Sequence, residues 1–156
     1  MRSAALILSL IAVVLFSCHC AASNPLRQAK KGAKEVPFVT LKNYYVRNDI
    51  DCSKPQQVIL DSKEKFETFF GPAAIMGGAP TDINWEKQFV IAILLPETNR
   101  PTMVTPMKVK ESPGNIIFYY QVNTGHKTSH TLVPFAAVAL QRVTNSPRTV
   151  VFFVED

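Results

Sequence analysis

The sequence has few of the residues that build catalytic or metal-binding sites. Its 156 residues include only three histidines and three cysteines, and their spacing matches no metal-binding motif. The acidic residues are scattered and mostly stand near lysines, so no two carboxylates can be chosen as a general acid and base. We therefore predict a non-enzymatic protein that has no metal site and needs no cofactor.

His126 and His130 are the one pair that invites a metal or catalytic hypothesis. Residues four apart share a face on a helix, but this pair spans a predicted turn. No glutamate follows His126 as a zinc protease requires, and the adjacent residues Ser129 and His130 seldom meet as nucleophile and base. A metal-dependent hydrolase is kept only as an alternative, and both histidines are assigned to a binding surface.

The net charge of +5 is unevenly distributed along the chain. Residues 35–156 hold 12 Lys or Arg and 12 Asp or Glu, so that part is neutral. A neutral domain lacks the basic surface that nucleic acids require, which excludes them as partners. Four basic residues stand together before it, and such a segment is attracted to anionic lipid headgroups by ~1 kcal/mol per charge. They are Arg27, Lys30, Lys31 and Lys34.

Long apolar runs are also scarce, and the most extended one begins near the N-terminus. Ala4–Phe16 has the length of the apolar part of a signal peptide and is shorter than the ~20 residues of a membrane-spanning helix. The residues Leu15-Phe16-Ser17-Cys18 resemble the lipobox of bacterial lipoproteins, in which the cysteine is lipidated and the leader is cut before it. The resemblance implies a signal peptide over residues 1–17 and a membrane anchor on Cys18.

An ordinary signal peptide over residues 1–22, cut after Ala22, is the alternative. Either leader exports the chain. The lipidated form would face the periplasm or the cell surface, and the other form would be soluble and secreted.

Residues 18–34 then form a flexible basic tether. Cys20 and Cys52 could form a disulfide in an oxidising compartment, but we prefer Cys52 as a small buried residue.

Residues 35–156 are predicted to form one domain centred on a buried strand. Phe89–Leu95 (FVIAILL) is continuously apolar, as in a strand that is covered on both faces. The capping-box pattern of Asp61–Glu64 and the apolar stripe Phe66, Phe69 and Phe70 predict a helix over residues 62–70 that packs on the sheet. Further strands are predicted at 35–46, 56–60, 102–110, 116–122, 131–142 and 149–154.

This pattern predicts an α+β fold, with a mostly antiparallel twisted sheet of about five to six strands and one short helix. Alternation along Thr102–Lys110 places Met103, Met107 and Val109 on one face, and Val104 on the other. In the strand 116–122, alternation turns Ile116, Phe118, Tyr120 and Val122 towards the core.

Asp82–Arg142 resembles the C-terminal domain of the PrcB-like proteins, a family named for one component of a protease complex. The matching features are Asp82 and Trp85, the strand Phe89–Leu95, and the Phe-rich helix that ends before Gly71. The resemblance implies a small exported lipoprotein that binds or stabilises an exported protein such as a protease. The family's Gly-Gly-Tyr turn after the central strand is replaced here by Arg100-Pro101-Thr102-Met103.

Two polar loops are the predicted binding surface, because loops on stiff scaffolds commonly carry recognition. Asn99-Arg100-Pro101-Thr102 also loosely resembles the Asn-Pro-Thr-Thr-Gly loop of chagasin-type protease inhibitors, so a loop-presenting inhibitor is one alternative. A small-ligand carrier, with its ligand between helix and sheet, is another. The predicted binding residues are Glu97, Thr98, Asn99, Arg100, His126 and His130.

Overall fold

The computed structural model describes residues 32–73, 78–112, 114–142 and 149–155. Within these ranges the chain forms ten strands and one helix. In order, they are β1 (Lys34–Val36), β2 (Val39–Thr40), β3 (Tyr44–Val46), β4 (Gln56–Leu60), α1 (Lys63–Phe69), β5 (Phe70–Pro72), β6 (Gln88–Leu94), β7 (Thr102–Ser112), β8 (Asn115–Thr124), β9 (Phe135–Gln141) and β10 (Thr149–Val154).

The described strands form two four-stranded sheets and one short ribbon. The outer sheet has the order β1-β7-β8-β10, the central sheet has the order β2-β9-β6-β4, and β3 pairs with β5. The pairings are antiparallel except for β10, which runs parallel to β8. The predicted α+β class, with mostly antiparallel pairing and one short helix, is confirmed. The strands are divided between two stacked sheets, whereas the sequence pattern suggested one.

The predicted central strand is confirmed as β6, which lies between β9 and β4. Its side chains alternate between two cores, because successive residues of a strand point to opposite faces. Phe89, Ile91 and Ile93 point towards the outer sheet. Val90, Ala92 and Leu94 point towards the helix and are all fully buried. The run is continuously apolar because both faces of the strand are covered.

The core between the two sheets is built from alternating residues of both. Phe118 of β8 is fully buried, and its ring packs edge-to-face on Phe152 of β10, with 5.7 Å between the ring centroids. The predicted inward residues of β8 all lie on this side, as the sequence alternation indicated: Ile116, Phe118, Tyr120 and Val122.

The helix α1 covers the other face of the central sheet. Phe66 is 4% exposed and stacks on Phe70, with 5.0 Å between the centroids. Trp85 packs 5.5 Å from Phe66. The helix has only seven residues, so it is held by this aromatic packing more than by its intrinsic propensity.

Both ends of the helix differ in detail from the sequence pattern. The N-cap is Ser62, whose hydroxyl accepts a bond of 3.3 Å from the Lys65 N–H. Asp61, the cap expected from the pattern, instead forms an ion pair of 2.8 Å with the Lys65 ammonium. The helix ends at Phe69, because Phe70 is already extended and begins β5. Gly71 therefore lies in a strand, where a Cβ would come within 2.6 Å of the Tyr45 ring.

The predicted strand 35–46 is broken into three short strands. β1 pairs with β7 in the outer sheet, whereas β2 pairs with β9 in the central sheet. The chain thus changes sheets at Pro37, a residue without the N–H that a continuous ladder needs. This crossing joins the two sheets along one side.

The predicted facing of β7 is wrong because the strand contains an irregularity. The register with β8 shifts between Pro106 and Lys108. Val104 and Val109 consequently both lie in the core between the sheets, although they are five residues apart. Met103 and Met107 are 64% and 46% exposed. An extra residue in one strand reverses the alternation beyond it, and a proline without an N–H is accommodated at such places.

Candidate functional site

The loop that follows β6 and the loop between β8 and β9 lie side by side. Thr98 and Leu132 exchange two backbone hydrogen bonds of 2.9 Å each, and the Leu95 N–H donates to the Pro134 carbonyl at 2.8 Å. The pairing of β6 with β9 thus continues past the ends of both strands. The deeply buried strand β6 leads directly into this pair of loops.

Further bonds join the outer parts of the loops. Both the N–H and the hydroxyl of Thr128 donate to the Asn99 carbonyl, at 2.7 and 3.1 Å. The Gly125 N–H donates to the Pro101 carbonyl at 2.7 Å, and a Cβ on Gly125 would come within 3.3 Å of that oxygen. We call the combined surface of residues 97–102 and 123–130 the double loop.

The double loop contains all six binding residues that the sequence predicts. Thr98 and Asn99 are half-buried, and their backbones take part in the loop pairing. The Thr98 hydroxyl also accepts from the Arg100 N–H at 3.2 Å. The other four side chains are exposed to solvent: Glu97, Arg100, His126 and His130.

The double loop is basic apart from Glu97 at its inner end. It carries Arg100, Lys127 and the two histidines, and the sequence has a single acidic residue, Glu111, between Glu97 and Glu155. Glu111 pairs with Ile116 at the far end of the β7–β8 hairpin. The outer part of the double loop therefore offers positive charge to an approaching molecule.

Within the described ranges, no group of three His, Cys, Asp or Glu could hold a metal ion. His126 and His130 are exposed members of one irregular loop. A site of two imidazoles would leave a zinc ion short of its usual ligands.

A groove of about 480 Å³ opens beside the inner end of the double loop. One wall is the loop that follows β3, and the other is formed by Pro96 and Glu97. Val133 also lines the groove. The Glu97 N–H donates to the Cys52 carbonyl at 3.2 Å, which ties the two walls together.

Cys52 lies on the floor of this groove. It is 6% exposed and belongs to the core on the helix side of the central sheet, which confirms the preferred interpretation of a small buried residue. Burial raises the pKa of its thiol, and the carboxylates of Asp51 and Glu97 raise it further. A thiol in such surroundings stays protonated and is a poor nucleophile.

The rim of the groove carries charge of both signs. Arg47 is engaged by Asp49 in an exposed ion pair of 3.3 Å. Asp51 accepts a bond of 2.9 Å from the Ser53 N–H, and this bond lowers the pKa of its carboxyl. The carboxylates of Asp51 and Glu97 therefore make the groove negatively charged.

Sequence patterns identify the double loop but not the groove. Residues 47–55 have a loop composition, and nothing in their order shows that they approach residues 96–97. Cys52 and Glu97 are far apart in the sequence and meet only because β4 pairs with β6. One sequence feature points to this region: Asp49 and Asp51 precede Cys52, and beyond Glu97 acidic residues are sparse.

The predicted leader, with Cys18 and Cys20, lies outside the described residues. Within those residues, no helix combines the length and apolar character needed to cross a membrane. Comparisons with protein-family models, curated proteins and solved structures find no match to this chain.

Proposed function

We propose that this chain is an exported, lipid-anchored and non-enzymatic binding domain that contacts another exported protein through the double loop. The observation that carries the proposal is the union of two exposed polar loops into one surface at the end of the most deeply buried strand. The leader sequence supports export and an anchor on Cys18.

The hydrogen bonds between the loops favour binding. A surface that is already ordered loses little conformational entropy when a partner docks. Thr98, Asn99 and Pro101 supply the backbone bonds that hold it, so the side chains of Arg100, His126 and His130 project from a fixed frame. This division suits recognition of a partner more than chemistry.

The PrcB-like resemblance of Asp82–Arg142 makes an exported protease one partner of this kind. The replacement of the family's Gly-Gly-Tyr turn by Arg100-Pro101-Thr102-Met103 alters the double loop itself. We therefore expect the partner of this chain to differ from the partners of proteins that keep that turn.

The binding proposal is tested by co-purification from envelope extracts, with mass spectrometry of the proteins recovered. The tagged full chain should recover a specific exported protein. Arg100→Ala should reduce its recovery at least about five-fold, because arginine is enriched among the contact residues whose truncation costs more than ~1 kcal/mol. The matched control is Lys87→Ala, which removes an exposed cation at the opposite end of β6.

Recovery of the same partner by wild type and Arg100→Ala would remove the double loop from the proposal. If no exported protein is recovered at all, protein binding itself is contradicted. An equal loss in both variants would show a general effect of charge.

The anchor is tested separately, by labelling cells with a fatty-acid analogue. The wild-type chain should take up label and Cys18→Ser should not. Cys20→Ser is the matched control, since it removes a neighbouring thiol outside the lipobox. Label on Cys18→Ser would exclude the lipoprotein leader and favour cleavage after Ala22.

A small-ligand carrier is a second candidate, favoured by one observation. A hollow of about 360 Å³ lies between α1 and residues 80–85, and its lining includes the rings of Tyr44, Phe66 and Trp85. Native mass spectrometry of the chain purified from its cells should then show a ligand mass that Trp85→Ala loses. An unloaded chain of the expected mass would exclude the carrier.

A further inference from the structure

The groove beside the double loop has walls held by backbone bonds. The Arg47 N–H donates to the Phe69 carbonyl at 2.9 Å, which ties the first wall to the end of α1. The Ile50 N–H donates to the Arg47 carbonyl at 3.2 Å, and this bond closes a turn within that wall. With the bond between Glu97 and Cys52, both sides of the groove are fixed before any ligand arrives. A preformed groove costs little to order on binding.

The most buried side chains of the groove, which form its floor, are apolar, whereas most of its exposed lining is polar. Val46 and Cys52 are buried members of the core, and Ile50 and Val133 are half-buried side chains packed against it. An apolar side chain placed in the groove would cover Ile50 and Val133 and remove their remaining surface from water, which is favourable. The volume of about 480 Å³ lies within the ~300–1,000 Å³ typical of ligand pockets.

The charged residues on the rim favour a ligand that carries a positive charge. Of the charged residues that line the groove, Arg47 is engaged by Asp49, whereas Asp51 and Glu97 present carboxylates to the same space. Their field reaches the floor, since both raise the pKa of the Cys52 thiol. A cation next to the apolar side chain would therefore be attracted, and an anion would be repelled.

We propose that this groove binds an extended segment of the exported partner in which an apolar residue stands beside an arginine or lysine. The apolar side chain occupies the floor over Ile50 and Val133, and the cation lies between Asp51 and Glu97. This inference rests on the proposed function and gives the partner a recognisable chemistry. Glu97 belongs both to the groove and to the inner end of the double loop, so one partner can contact both surfaces.

The test uses synthetic peptides and amide chemical shifts of the full chain. The probe is an acetylated and amidated hexapeptide of glycine and serine that contains one leucine followed by one arginine. Its charge control carries citrulline, which has nearly the same shape without the charge, in place of arginine. Its apolar control carries glycine in place of leucine.

Shifts should be confined to the amides of residues 46–53, 97 and 133. The arginine peptide should bind about five-fold more tightly than the citrulline peptide, because each of the two exposed ion pairs contributes only modestly to affinity. Loss of the leucine should abolish measurable binding. The preference for arginine should shrink as salt is added, because exposed charges are screened.

The double variant Asp51→Asn with Glu97→Gln should erase the preference for arginine over citrulline. Asparagine keeps the side-chain oxygen that accepts from the Ser53 N–H, so the turn is preserved. The matched control, Glu64→Gln with Glu67→Gln, removes two exposed carboxylates from α1 and should leave the preference intact.

Equal affinity for the arginine and citrulline peptides would overturn the proposal, as would shifts confined to residues 123–130. Groove shifts that grow with protein concentration would identify a second copy as the occupant. Groove shifts caused by deleting residues 24–31 would identify the chain's own basic segment. Either result replaces the partner segment named here.

The outcome is distinguishable from that of the proposed function. If the co-purified partner is lost with Arg100→Ala but kept with the Asp51 and Glu97 variant, the double loop binds and the groove inference fails. If the peptides bind as expected while no exported protein is recovered, the groove binds a segment of this chemistry and the double loop proposal fails.

Discussion

The two faces of the central sheet are covered in different ways. One face is covered by a second sheet, whose strands supply buried rings such as Phe118 and Phe152 along their length. The other face is covered by one helix of seven residues, by the short ribbon β3–β5 and by loops. Hollows of about 480 and 360 Å³ open on the helix face, and one of about 250 Å³ lies at an end of the sandwich.

The difference shows where a partner can reach the apolar interior. A twisted sheet follows the curvature of another sheet and packs on it over its whole area. A short helix and loops cover the same area in pieces and leave grooves where the pieces meet. The groove beside the double loop lies at such a place, where Cys52 and other side chains of the core form the floor between two loops.

The largest expected effect is in the core between the sheets. Phe118→Ala should lower the free energy of unfolding by about 4 kcal/mol, because Phe118 is fully buried and a fixed sandwich cannot collapse into the cavity. Urea unfolding followed by fluorescence measures the change. Met103→Ala on the adjacent strand, where the side chain is 64% exposed, is the control and should change little.

Phe66→Ala tests the helix side of the comparison. We expect a loss of about 3 kcal/mol, smaller than for Phe118→Ala, because α1 and Trp85 can move partly into the space. Both variants should shift the same single unfolding transition, since β6 contributes side chains to both cores. A second, separate transition for the helix side would contradict this coupling.

The helix cap is a smaller contribution on the same side. Ser62→Ala should cost about 1 kcal/mol, because it removes the hydroxyl that accepts from the Lys65 N–H. Asp61→Ala is the informative comparison: it removes an exposed ion pair and should cost less. A larger effect for Asp61→Ala would mean that Asp61 caps the helix in solution.

The smallest expected effects appear at alkaline pH, one in each core. Burial raises the pKa of Tyr44 and Tyr120, and the carboxylate of Asp82 adds to the shift for Tyr44. A tyrosine whose pKa is higher in the folded state contributes stability that is fully present below about pH 10, its pKa in the unfolded chain. This contribution is lost as the pH rises through the folded-state pKa.

Tyr44→Phe and Tyr120→Phe should each reduce the loss of unfolding free energy at alkaline pH, as measured by urea unfolding between pH 9 and 11. Tyr44→Phe also removes the hydroxyl that donates to the Thr81 carbonyl at 2.8 Å. Tyr45→Phe is the control, since its ring is 46% exposed. An unchanged pH dependence in both core variants would contradict the assignment.

Local chemistry predicted most of the elements. Continuous apolar character predicted β6, the Phe spacing predicted α1, and alternation predicted the inward side of β8, because each signal lies within a few residues. The same local signals did not predict the division of segment 35–46 into three strands or the facing of side chains along β7. Pro37 and Pro106 mark both places, but which sheet a strand joins and where its register shifts are settled by pairing with distant residues.

The candidate site also has features that local sequence predicts and contacts that only the tertiary structure shows. The sequence indicated two polar loops and named Glu97, Arg100, His126 and His130, since polar residues after a stiff strand are a local pattern. It did not indicate that Thr98 meets Leu132 or that Thr128 meets Asn99. Those contacts follow from the antiparallel pairing of β6 with β9, which carries the two loops to one end of the sheet.

By itself, the amino-acid sequence determined which segments are buried, where the helix lies, and which loops are polar, because hydrophobic periodicity and capping act over short distances. Only the tertiary structure decided that the strands divide into two sheets and that the double loop is one surface. It also decided that Cys52 lies under Asp51 and Glu97 on the floor of a groove. The physical reason is that sheet pairing joins residues that are far apart in the chain. The residue types in a strand do not by themselves identify the strand with which it pairs.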